Sequence, residues 1–490
     1  MTSSKSTKRA LITSALAILM CAAMLIGATF AWFTDTASTG VNKIVSGNLK
    51  VDIIGADSDS HIEKLNFTKA ATTDAEAGAE ILWEPGCRYL TEGFRIANKG
   101  NLALKWKAQV NTGTTAANEG NFDLLDVIDF YLVTKAADGT ETETALDEFT
   151  GNLKKTETSD VYYIKGVMQT TAGNDYQGLT LDGISITVVA TQDTVESDSF
   201  DNQYDKDAEY PILVTTGDEL QAIVSNATAP VNIVLTNSIT TNNFVIPEDK
   251  DVTLDLNGRT VTNAGSHTIL NKGHLTLTDS SADKSGQIIS LKGNTAALRN
   301  GDNAVCVVEG GTISRDGANG NTWHVVENFG KMTFNGGKVV LKNGNGFAIT
   351  NGWNYFDPGA STTHAVMEIN ALELDTDSSG IKNCRYGDLT VNDVTVTSTG
   401  YWALSNDYLG TAVINGGTLT SNSFKAVSNG AAMTVNGGTF DGTQGFFVQS
   451  YATSTVLNGG TFANMNVDAL SSYVGTGHTA QQSGTSVIIK

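Results

Sequence analysis

The sequence predicts an all-β protein in two parts, a β-sandwich followed by a parallel β-helix with a short capping helix at its N-terminal end. Three observations carry this. First, one phrase returns at nearly constant spacing, as Val413-Ile414-Asn415-Gly416-Gly417-Thr418-Leu419, Thr434-Val435-Asn436-Gly437-Gly438-Thr439-Phe440 and Val456-Leu457-Asn458-Gly459-Gly460-Thr461-Phe462. With looser copies at Asn370 and Asn392, its Asn recurs at intervals of 22, 23, 21 and 22 residues, and a fixed period of that size marks a solenoid. Second, Asn383, Asn406 and Asn429 recur at 23 and 23 in the same coils. Two Asn corners per coil imply at least three faces. Third, apolar and polar residues alternate in short runs between residues 49 and 190, separated by Gly-, Asn- and Asp-rich turns, which is the pattern of half-buried strands.

At the N-terminus, Lys5, Lys8 and Arg9 precede an uncharged apolar run from Ala10 to Phe33 that ends in small residues before Asp35. A basic segment, an apolar segment and a small-residue exit make a secretory signal, with residues 1–31 removed by cleavage after Ala31; cleavage after Ala28 also fits. The run is long enough to span a bilayer, so an uncleaved membrane anchor is the alternative.

Beyond it, Asn48 to Ile54 alternates Leu49, Val51 and Ile53 against Asn48, Lys50 and Asp52. The runs at 94–97, 102–110, 129–134, 161–168 and 184–190 repeat that alternation, and residues 121–128 suit a short helix. Five or six such strands form a sandwich over residues 32–195.

Several phrases in this region stand in a recognisable order: Gly27-Ala28-Thr29-Phe30-Ala31-Trp32-Phe33-Thr34-Asp35-Thr36, then Gly47 to Ile53, Glu84-Pro85-Gly86, Phe94 to Lys105 and Ile184 to Gln192. Together they resemble the exported TasA and camelysin family. The resemblance implies a signal removed by a SipW-type peptidase and a jelly-roll-like sandwich. It also implies extracellular fibres in which the strand after the cleavage site completes the next subunit. Here that donor would be Trp32 to about Val45, with Trp32 and Phe33 filling pockets; the alternative is that the stretch folds back into its own sandwich. Camelysin has been assigned metallopeptidase activity. This sequence has no HExxH, and His61 is the only histidine between Trp32 and Pro211, so no metal site or cofactor is expected.

From residue 196 to 211 the chain is acidic and polar without apolar periodicity, which reads as an interdomain linker. Thr216-Gly217-Asp218-Glu219 then opens Leu220-Gln221-Ala222-Ile223-Val224, a capped helix. That helix and Val231 to Leu235 are expected to cover the open end of the β-helix, which occupies 212–490. Upstream copies at Asn257-Gly258, Asp279, Glu309 and Asn335 bring the count to nine coils, or about 40 Å of stack. This part resembles the right-handed parallel β-helix proteins of the pectin-lyase-like superfold from about Gly217 to Ile488. That superfold hosts enzymes, adhesins and inert stalks.

Acidic residues outnumber basic ones 52 to 31, for a formal charge of −21. Such a surface repels nucleic acid and anionic lipid, leaving an uncleaved N-terminus as the one route to a membrane. Once Cys21 is removed, Cys87, Cys306 and Cys384 remain, and they are expected as unpaired thiols. No catalytic residue is assigned. Asp255, Asp279, Glu309, Asp393 and Asp441 sit near coil corners without clustering, and His324, His364 and Arg385 stand isolated in sequence. Asn370, Asn392, Asn415, Asn436 and Asn458 are expected to form one structural ladder, and Asn383, Asn406 and Asn429 another. The longest interruption of the period, from Asn335 to Asn370, carries Trp353, Tyr355 and Phe356; with Trp402 these are the candidate ligand-binding aromatics. The reading is a secreted structural or adhesive protein of a bacterial cell surface or biofilm matrix. Its expected partners are copies of itself, other matrix proteins and glycans, and the enzymatic alternative is a polysaccharide lyase or glycoside hydrolase on the β-helix.

Overall fold

The computed structural model describes residues 48–490 apart from 63–64, 69–82, 112–113, 116–121, 147–148, 183–184, 194–208, 318–322, 345 and 354–362. Alternation produces the first body as expected. Val51–Gly55, Phe94–Asn98, Tyr162–Met168, Arg88–Thr91 and Phe67–Thr68 lie side by side in one antiparallel sheet, which Ile128–Lys135 and Glu141–Ala145 extend. Leu104–Asn111 forms a second sheet between Ser185–Gln192 and Phe149–Leu153. Period two puts Phe94, Ile96 and Ile164 of the first sheet with Leu104 and Trp106 of the second in one buried cluster. Trp106 meets the rings of Phe149 and Tyr162 edge-on at 5.6 and 6.1 Å. The helix expected at 121–128 is one 3-10 turn, Leu124–Asp126, capped by Asp123.

The second body is a right-handed parallel β-helix with three faces of eleven, twelve and nine strands. The first face runs from Ile212–Val214 to Ser454–Leu457, the second from Ile239–Thr241 through Gly460–Phe462, and the third from Phe244–Ile246 to Gln444–Val448. In-register pairing converts the sequence period into columns. On the first face Leu254, Leu277, Val308, Phe334, Ile369, Val391, Ile414, Val435 and Leu457 stack one above another. All are buried in one continuous core, each large side chain contributing about 1.5 to 3 kcal/mol.

Each end carries a partial cover. Thr216 caps the helix Gly217–Asn226 by accepting from the Glu219 N–H, and Glu219 accepts in turn from the Thr215 N–H at 2.9 Å. Its apolar stripe, Leu220 and Val224, is buried in the core. Val231 to Leu235, expected to belong to this cap, instead pairs in parallel on both sides as a full member of the first face. Together with Ile212–Val214 it makes the stack longer than the nine coils read from the corners. At the far end Ser486–Ile489 pairs antiparallel with Gly460–Phe462. Leu470, from the short helix Val467–Leu470, enters the core beside Phe462.

Candidate functional site

Two asparagine columns run the length of the stack. At the corner between the first and second faces each amide donates toward the N-terminal end: Asn458 to Asn436, Asn436 to Asn415, Asn415 to Asn392, Asn392 to Asn370, Asn370 to Asn335, and Asn335 to Glu309, at 2.7 to 2.9 Å. This column is exposed. The other, on the third face, donates in the opposite direction from Asn271 through Asn300, Asn328, Asn351, Asn383 and Asn406 to Asn429. It is buried, and Asn429 passes its amide on to Thr455 Oγ1. These asparagines hold the rungs together through one amide bond per step.

The third face gathers most of the remaining chemistry. Its outward column reads Val245, Leu270, Arg299, Glu327, Thr350, Lys382, Ser405, Ser428 and Phe447. Glu327 is buried yet fully engaged: one oxygen takes Arg299 at 2.8 Å and the other the Trp323 Nε1 at 3.0 Å. Burial lowers the pKa of His267 and His324, with Glu327 partly opposing the shift in each case. His267 Nδ1 accepts from the Ala296 N–H, and His324 Nδ1 accepts from the Phe347 N–H. Burial also brings Arg315 down to about 10; its guanidinium reaches the Lys292 carbonyl and Ser290 Oγ. His324, isolated in sequence, thus belongs to a buried polar group. Trp323, His324 and Glu327 lie within five residues of one another, but Arg299 is 28 residues before Glu327 and His267 32 before Arg299, and the coil register brings these three sets together.

Aromatic residues line both margins of the same face. On the rim before the third-face strands, Trp402 meets Phe424 edge-on at 5.2 Å and lies 6.1 Å from Tyr401. On the rim after them stand Tyr408 and Tyr451. Tyr401, Tyr408 and Tyr451 are 54%, 45% and 54% exposed. Trp353, one of the candidate ligand-binding aromatics, is instead local core: it is buried, packed on Phe329 at 4.5 Å, because Arg299 and Phe329 build a flank it covers. Trp402 is half-buried. Tyr355 and Phe356 lie outside the described residues, as do Ala31, Trp32 and Phe33 and most of the acidic linker.

His364 and Arg385 also find neighbours. His364 Nδ1 is 2.8 Å from Asp388 Oδ2, and Arg385 donates to the Tyr386 hydroxyl at 3.0 Å. Asp279 is a corner brace accepting from the Gly258 and Gly286 N–H groups. Among the described residues no three His, Cys, Asp or Glu side chains converge as a metal site would require. Burial pushes the Cys306 and Cys384 thiols up to about 12, so neither supplies a thiolate at neutral pH. No protein-family model and no curated protein matches this sequence.

Proposed function

We propose that this chain is an exported structural and adhesive protein of a cell surface or extracellular matrix, in which the β-helix is a stiff rod and its third face the contact surface. The observation that carries the reading is where the polar groups go. In both columns each asparagine is spent on bonding the next rung, which suits a stack built for shape, while three exposed tyrosines border one face. The basic and apolar N-terminus and the TasA-like phrases supply the export route. The segment from Trp32 supplies a donor strand through which copies would join. The test is N-terminal sequencing of protein recovered from culture medium, with electron microscopy of the same fraction. A mature chain beginning at Trp32 and present in extracellular fibres is expected; a chain retained inside the cell with Met1 intact refutes the reading.

The buried group around Glu327 favours one competing reading, a polysaccharide lyase or glycoside hydrolase. It places a carboxylate, a guanidinium and an imidazole on one face. Both Glu327 oxygens are already paired and its side chain is buried, which suits bracing better than proton transfer. Release of reducing ends or unsaturated sugars from a polysaccharide, abolished by Glu327→Gln, would establish the enzyme instead.

A further inference from the structure

We infer that the C-terminal half of the third face binds an uncharged glycan, held between the tyrosine margins on either side of the strands Leu404–Asn406, Lys425–Asn429 and Gln444–Val448. The inference rests on the adhesive reading above and gives it a ligand class and a place.

The first ground is where the rings fall. Tyr401, Tyr408 and Tyr451 are the aromatic side chains among the described residues that stand out as large exposed hydrophobics, and all three border this one face. Tyr401 precedes Leu404–Asn406 and Tyr408 follows it, so the strand between them sets a gap of at least ~10 Å. Tyr451 follows the strand two rungs on, and its ring lies across Gly430: a Cβ there would meet the ring at 2.7 Å. Rungs ~4.8 Å apart therefore set rings along the axis as well as across it. Trp402 and Phe424, edge-on beneath Tyr401, hold that margin in place.

The second ground is the polar content between the margins. Ser405 and Gln449 are half-buried, Gln449 donating to the buried Ser428 Oγ at 3.1 Å, with half-buried Phe447 on the next rung. Rings at the edges with hydroxyl and amide groups between them match a sugar, which offers apolar C–H faces and a hydroxyl perimeter. The exposed rings stand apart along two margins, not in the central desolvated cluster on which protein hot spots concentrate.

Charge selects among glycans. Lys382 is 3.3 Å from Asp407, and Lys425 lies over the Phe447 ring at 3.1 Å. Asp407 neutralises the first and the second keeps its charge, so these strands carry one positive charge against −21 for the whole chain. A polyuronate would be repelled by that field; a neutral chain would not.

The experiment is isothermal titration of the full mature chain with cellohexaose, with the N-acetylglucosamine hexamer and with polygalacturonate fragments of the same length. Binding to a neutral hexamer is expected, with polygalacturonate at least tenfold weaker. Tyr401→Ala with Tyr451→Ala should weaken the neutral ligand at least tenfold while leaving the thermal midpoint within a degree or two. Leu291→Ala, at an exposed position on a coil several rungs away, serves as the variant whose affinity stays unchanged. The inference is overturned if neither neutral hexamer binds, if the polyuronate binds more tightly, or if the tyrosine pair has no effect. It is equally overturned if the tyrosines prove necessary only for holding a protein. A chain that is exported into fibres yet binds neither hexamer defeats this inference and leaves the adhesive reading intact.

Discussion

Asn406 and Asn436 make the same hydrogen bond in two different media. Asn406 is buried, donates to Asn429 Oδ1 at 2.9 Å and to the Ala432 carbonyl at 2.8 Å, and accepts from Asn383. Asn436 bridges Asn415 and Asn458 in full view of water. Water can replace the second set but not the first. Asn406→Leu should therefore cost about 2 to 4 kcal/mol, combining lost amide bonds with a bulkier branched side chain. Asn436→Ala should cost about 1 kcal/mol or less. Urea midpoints of the two variants check the order. The buried imidazoles give a second residue-level expectation. Burial holds the folded pKa of His267 and His324 below the ordinary 6.5. The unfolded chain therefore binds more protons as pH falls through 6.5, and stability contributed above that pH is lost until the folded pKa is passed. The unfolding midpoint should fall between pH 7.5 and 5.5, and the double variant His267→Asn, His324→Asn, which keeps an amide acceptor near each site, should flatten that slope.

At the scale of the coil, the Asn-Gly-Gly corner needs its two glycines for different reasons. A Cβ on Gly437 would sit 2.6 Å from the Asn415 carbonyl of the coil below, whereas Gly438 turns the chain at φ 108°, where L side chains are strained. The first permits close stacking and the second permits the turn. Gly437→Ala and Gly438→Ala should each cost about 1 to 3 kcal/mol, against little change for the exposed neighbour Thr439→Ala, as read from denaturation midpoints. This corner made the fold legible, because a motif required by both turn and stacking must recur once per coil. Ile212–Val214 and Val231–Leu235 go uncounted as coils in the sequence, the latter reading as cap, because they pair in the stack without any Asn-Gly-Gly corner between them. The third face was less legible still. Its buried column links Asn271, Asn300, Asn328, Asn351 and Asn383 at intervals of 29, 28, 23 and 32 residues, so no constant period announces it. Arg299 and Glu327 meet only because each occupies the middle of its strand. Trp353 stands among the candidate binding rings because its loop interrupts the period, but ring area beside an apolar flank packs onto that flank first.

For the molecule as a whole, the partly covered ends of the β-helix bear on how copies can join. An uncapped rung offers N–H and C=O groups to any other strand, and a stack of identical rungs would lengthen by end-on addition. Here Ser486–Ile489 covers Gly460–Phe462 in antiparallel register, and the segment Met465 to Leu470 closes over Phe440, Phe446 and Phe462. Antiparallel pairing does not propagate a parallel stack, so this hairpin opposes end-on addition along the second face. Removing residues 464–490 should expose both the strand edge and the three phenylalanines. Light scattering on chains 32–463 and 32–490 at matched concentrations should show added, concentration-dependent association in the shorter one. Thr461→Lys in the shorter chain should reverse much of it, since a lysine on an exposed edge opposes strand addition. Equal association of the two chains would mean that the C-terminal hairpin does not guard the stack.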